Sequence, residues 1–170
     1  LGPPTVLDLG DLGHPLAADA LARWEAMALT VLAADLVGTM QIALTAAVEY
    51  AKERVQYDVK IATFQALQHL CAESLVLVEG SRSVTWYAAW GIDRLTPADA
   101  LLAARTAKAY ASESAMTVCE TCIQVHGGVA ITWEYMPNVY LRRAMLDRKT
   151  LGDEDVQLAA IADTRLTARA

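Results

Sequence analysis

A chain of 170 residues with a formal charge of -6 is long enough for one domain with its own core, and it lacks the basic surplus of a general nucleic-acid binder. Hydrophobic residues make up 55% but aromatics only 6%, so the apolar bulk is largely alanine and leucine, which favours close-packed helices over a sheet. Three cysteines, Cys71, Cys119 and Cys122, are an odd number and describe no disulfide framework, which suits a reducing, cytoplasmic setting.

Residues 1–17 contain Pro3, Pro4, Gly10, Gly13 and Pro15 and read as an irregular linker from a missing upstream region. No signal peptide is expected, because Leu1 to Asp11 has neither a basic start nor an apolar core. The absence of an initial methionine reads as a piece of a longer protein. From about Ala18 to Glu53 the pattern is helical, with Leu21, Trp24, Ala28, Val31, Leu32 and Asp35 marking an inner stripe that Met40, Leu44, Ala47 and Val48 continue. Within it Met27 to Val48 carries a single charge, Asp35, and lacks aromatic belts, so a buried bundle helix fits better than a membrane span.

The helix breaks at Arg54 to Gln65, and Thr63 is expected to cap a second helix reaching about Trp90, with Leu67, Leu70, Leu75, Val78 and Val84 inside. Gly91 then reads as a turn. Thr96-Pro97-Ala98-Asp99 announces a third helix: Thr96 as N-cap, Pro97 in its first turn and Asp99 in the capping-box position. This helix is alanine-rich and runs to about Val125. Gly127 and Gly128 follow, where a helix end needs positive φ and where a bare backbone lets a ligand approach. A short segment to about Leu146 and a last one from Asp153 to Arg169 complete an all-α, antiparallel helix bundle over residues 18–170, with no strand alternation long enough for a sheet.

Cys119 and Cys122 form a C-x-x-C near a helix end rather than at a helix start, with no second pair to complete a zinc site, so they read as small buried thiols. Two other stretches stand together: Arg54-Val-Gln-Tyr-Asp-Val-Lys-Ile-Ala-Thr-Phe-Gln65, and Gln124-Val125-His126-Gly127-Gly128 with the following Thr-Trp-Glu and Tyr-Leu-Arg-Arg-Ala. In these the chain resembles the C-terminal domain of the acyl-CoA dehydrogenase family, from about residue 20 to 160, and its wording is similar to actinobacterial members. The resemblance implies FAD as cofactor. It places Arg54 on the anionic pyrophosphate, Gln65 on neutral polar groups, and Gln124, Val125, His126, Gly127 and Gly128 at the adenosine end. It also implies an acyl-CoA thioester substrate, a homo- or hetero-oligomer of related subunits, and an electron-acceptor flavoprotein.

That chemistry needs a carboxylate to take the α-proton while the β-hydride passes to the flavin. The two positions where the family carries it hold Leu151, in Thr150-Leu151-Gly152-Asp153, and Ala28. Neither side chain can accept a proton. Glu25 reads as a solvated helix residue, Asp35 as a buried hydrogen-bonded carboxylate and Asp153 as the N-cap of the last helix. Glu134 matches an acidic position that is not the base, and His14 and His69 carry no signal. The expectation is therefore a subunit that holds FAD and relies on a partner's glutamate. The alternative is a helical assembly subunit without cofactor.

Overall fold

The computed structural model describes residues 17–132 and 134–167. The expected linker, apart from Ala17, lies outside them, as do His14 and Trp133. Three long helices make the body: α1 (Ala18–Glu53), α2 (Gln65–Arg94) and α3 (Pro97–His126). Two shorter ones follow, α4 (Pro137–Lys149) and α5 (Glu154–Thr167). Short connections return the chain each time, so consecutive long helices run antiparallel, and α1, α2, α4 and α5 all pack on α3. The all-α antiparallel bundle expected from composition is the fold observed.

The core is a seam of small side chains. Ala100, Ala103, Ala104, Ala107, Ala111 and Ala115 of α3 are buried, and so are Ala26, Leu29, Ala33, Leu36, Met40, Ala43 and Ala47 of α1. Alanine brings the helix axes close, and the larger Leu29, Leu36 and Met40 then fill the space between them. Each such buried side chain contributes about 1.5–3 kcal/mol.

This seam corrects the first half of the inner stripe expected for α1, while Met40, Leu44 and Ala47 of its continuation are buried as expected. Leu21, Trp24 and Val31 are 51%, 53% and 62% exposed, because α1 is apolar on two faces and the alanine row of α3 selects the other one. The helix is long and apolar enough to cross a membrane, yet its inner residues belong to the bundle core. On α2 only Val78 of the five expected residues is buried. Leu67, Leu70 and Val84 are half-buried and Leu75 is exposed. The buried line is Ser74, Val78, Ser81, Thr85, Ala88 and Gly91, small residues again.

Gly91 is not a turn. It lies inside α2 on the helix's buried line, where an added Cβ would stand 2.9 Å from Leu95 Cδ1. Thr63 does not cap α2 either. It ends a 3-10 turn, Ile61–Thr63, and its hydroxyl donates to Lys60 O, leaving Phe64 before the helix with no side-chain cap. The Thr96 cap is as expected: Asp99 N donates to Thr96 Oγ1 at 3.2 Å, and that hydroxyl donates to Asp99 Oδ2 at 2.7 Å. Asp99 thus closes the box on the hydroxyl rather than on the backbone.

Between α1 and α2 a small hairpin pairs Val55–Gln56 with Val59–Lys60. Its two turn residues, Tyr57 and Asp58, have φ of 53° and 61°, the arrangement of a tight two-residue hairpin. Two-residue strands give no periodic signal in the sequence, yet this hairpin decides where Arg54 ends up.

Candidate functional site

Arg54 is the C-cap residue of α1, its backbone N–H donating to Tyr50 O. The hairpin folds back so that Ile61 N donates to Arg54 O at 2.9 Å, which closes the loop beside the end of α3. An open depression of about 420 Å³ results, lined by Tyr50, Arg54, Gln56, Ile61 and residues 125–129. Two stretches separated by the whole of α2 and α3 thus meet at one place.

Within the depression the guanidinium of Arg54 is exposed, with no ion-pair or hydrogen-bond partner among the described residues. Among the described residues no carboxylate lines the wall, so the site offers one positive charge with paired donors, suited to an anionic group. The two glycines play different parts. Gly127 has φ of 68°, a backbone state its own chain requires. Gly128 does not share it, which corrects half of the expectation for the pair. A Cβ on Gly128 would meet nothing within 4 Å, so nothing in its own chain demands glycine there. Bare backbone beside a free guanidinium is a cradle that a bulky anion can enter closely, and the residues present fit a dinucleotide's pyrophosphate.

His126 is 7% exposed and held on three sides. Its Nδ1 lies 2.8 Å from Cys122 O; a carbonyl only accepts, so Nδ1 carries a proton and donates. Its ring stacks on Tyr50 at 4.4 Å between centroids, and Tyr135 meets both rings edge-on. Val125 is buried in the core and anchors the segment. Gln124 is exposed and does not line the depression, nor does Gln65, the exposed first residue of α2. Gln56 and Ile61 belong to the Arg54–Gln65 motif but carried no expected role at the site, and Tyr50 and Tyr135 were not singled out at all. Tyr50 stands one helical turn before Arg54, a spacing that could have exposed it.

Glu25, Asp35 and Asp153, the carboxylates weighed beside the vacant base positions, are each engaged. Glu25 is half-buried and ion-paired with Arg105 at 2.9 Å, not solvated as expected. Asp35 is hydrogen-bonded but not buried: its side chain is 40% exposed and accepts from Arg143 Nε at 2.7 Å. Asp147 beside it is buried, and desolvation with the neighbouring Asp35 pushes its carboxyl up to about 6. Asp153 caps α5 as expected, accepting from Val156 N, and pairs with Lys149. Ala28 is half-buried on α1, and Leu151 is 46% exposed on the α4–α5 turn. Glu134 and His69 are exposed. Cys119 and Cys122 are free buried thiols, each pushed up to about 12 by burial, as expected of structural cysteines.

Residues 15–166 match the profile of the acyl-CoA dehydrogenase C-terminal domain. The chain is 40% identical over 117 residues to the acyl-CoA dehydrogenase IpdE2 of Mycobacterium tuberculosis, an alignment covering 69% of this chain and 35% of that protein. Butyryl-CoA dehydrogenase from Megasphaera elsdenii is similar in structure with a TM-score of 0.83 at 28% identity, over 91% of this chain and 40% of that one. The ChsE4–ChsE5 complex from Mycobacterium tuberculosis gives 0.82 at 27% identity, over 91% and 41%. The chain thus spans well under half the length of each of these relatives. With almost its whole length matched to one profile and its helices superposing on these structures, the chain belongs to the acyl-CoA dehydrogenase family, as its C-terminal helical domain.

Proposed function

We propose that this chain is the flavin-contacting and oligomerising domain of an FAD-dependent enzyme that dehydrogenates an acyl-CoA thioester between its α and β carbons. The observation that carries the reading is the meeting of a guanidinium without a partner among the described residues, Arg54, with a needlessly bare backbone, Gly128, in one depression. Arg54 binds the pyrophosphate through paired hydrogen bonds, and Gly127–Gly128 lets the dinucleotide lie against the main chain. Val125 and the Tyr50–His126 stack hold that wall in place. Gln65 and Gln124, exposed outside the depression, meet parts of the cofactor that extend beyond it.

When bound, FAD accepts the β-hydride; the α-proton needs a carboxylate. Ala28 and Leu151 cannot accept it, and Glu25, Asp35 and Asp153 are held in ion pairs or a cap. The base therefore comes from a partner glutamate in a hetero-oligomer of related subunits, and the solved ChsE4–ChsE5 complex supports such a two-component assembly. By analogy with actinobacterial members of the family, steroid side-chain thioesters are the substrates to test first; an electron-transferring flavoprotein is the acceptor and the cytoplasm the setting.

The test is flavin content of the full-length protein, purified alone and then with its neighbouring gene product. Bound FAD that acyl-CoA bleaches only in the co-expressed sample supports the heteromer. Absence of flavin from both samples sinks the cofactor reading and leaves a helical assembly subunit without cofactor. Bleaching of the lone protein would show that the base is in this chain.

A further inference from the structure

The turn between α4 and α5 is built against the preferences of its own residues. Two consecutive residues have positive φ, Leu151 at 57° and Gly152 at 93°. Glycine accepts this freely; for leucine it costs about 1–2 kcal/mol, and such a conformation persists only where the surroundings over-determine it.

The surroundings do so through Lys108 of α3. This lysine is fully buried, at 0% exposure. Its Nζ donates to Ser112 Oγ at 3.0 Å, to Arg148 O at 2.9 Å and to Gly152 O at 3.0 Å, so all three ammonium protons are used. Gln157, 3% exposed, donates to Leu151 O at 2.7 Å. A Cβ on Gly152 would stand 2.8 Å from Val156 Cγ1, so α5 presses on the turn from the other side. The charged groups facing Lys108 are Asp147 and Arg148 from α4, and Asp153 and Glu154 from the turn and α5, yet its hydrogen bonds all go to neutral oxygens.

A buried ammonium without a carboxylate in contact is a poor device for stability alone, since methionine would fill much the same volume without the desolvation cost. What lysine supplies and methionine lacks is direction: two of its protons grip the carbonyls of residues 148 and 152, which bracket Leu151. We infer that Lys108 is a positioning residue that clamps the α4–α5 turn and thereby sets where the side chain of residue 151 points, whatever that side chain is. The inference stands on the turn itself and does not depend on flavin binding.

Amide hydrogen exchange across the 170-residue chain tests it, with Thr150 and Gly152 as reporters because their N–H groups tie the turn to the end of α4, donating to Leu146 O and Lys149 O. Lys108→Met is expected to speed exchange at both by about tenfold while amides of α1 change by less than about threefold. Adding Leu151→Gly, which removes the φ strain without adding a contact, should restore most of that protection. Leu151→Ala in the unaltered background should leave exchange within about twofold. Unchanged exchange at Thr150 and Gly152 in Lys108→Met, or an equal rise throughout the bundle, overturns the clamp. So does a failure of Leu151→Gly to compensate. Should Lys108→Met not fold, Ser112→Ala removes one anchor of the ammonium and is expected to raise exchange about threefold at the same two amides. No local rise there overturns it equally.

Discussion

Two regions of α3 treat their polar groups in opposite ways. At the Gly127 end, Arg54 has no partner among the described residues and Gly128 has no contact that requires glycine. Along the side that meets α4 and α5, Lys108 spends every proton, Gln157 holds Leu151 O, and Gly152 is demanded by both φ and contact. A region that satisfies itself is built for shape. A region that leaves charge and backbone open is available to something outside the chain. Three glycines make the contrast measurable: each can be changed to alanine, and the cost tells which region it serves.

Gly152→Ala is expected to cost most, about 2–4 kcal/mol, because it adds a positive-φ penalty to an overlap with Val156. Chemical denaturation checks it, and a cost below one kcal/mol would mean that the turn relaxes freely. Gly127→Ala carries the backbone penalty alone, since a Cβ there meets nothing, so about 1–2 kcal/mol is expected. Burial holds Lys108 down to about 8 from its ordinary 10.5. Between those values the folded chain binds fewer protons than the unfolded one, so this residue's contribution makes stability rise from pH 8 to pH 10. Denaturation curves across that window should show the rise in the parent and lose it in Lys108→Met.

The smallest effects on stability belong to the open region, and there they sharpen the comparison. Gly128→Ala and Arg54→Ala should each shift stability by less than about 0.5 kcal/mol, as surface changes do. In the full-length protein each should weaken flavin retention, by about tenfold for Arg54→Ala, which ultrafiltration and absorbance can read. A large stability loss with unchanged flavin content would return both residues to a purely structural role.

Much of this was legible in the chain itself. Alanine-rich composition, the Thr96-Pro97 start and the Gly127 stop define a helical bundle through local chemistry alone. Arg54 and the 125–128 segment were marked as one site by the resemblance, and the fold brings them to one depression. Tyr50 and Tyr135 were missed because they act through ring contacts that need both helices in place. Lys108 was missed because a lysine amid alanines reads as a solvated residue until its burial is seen.

What the sequence determined by itself was periodicity, caps and breaks, because these depend on neighbours within a turn or two of the chain. It could not choose which apolar face of α1 turns inward, since Leu21, Trp24 and Val31 make as good a stripe as Ala26, Leu29 and Ala33. Nor could it show Gly91 inside a helix, or a leucine held at positive φ by a lysine far away in sequence. Those outcomes belong to the tertiary structure, where close contact between helices weighs volumes and satisfies hydrogen bonds that no local pattern encodes.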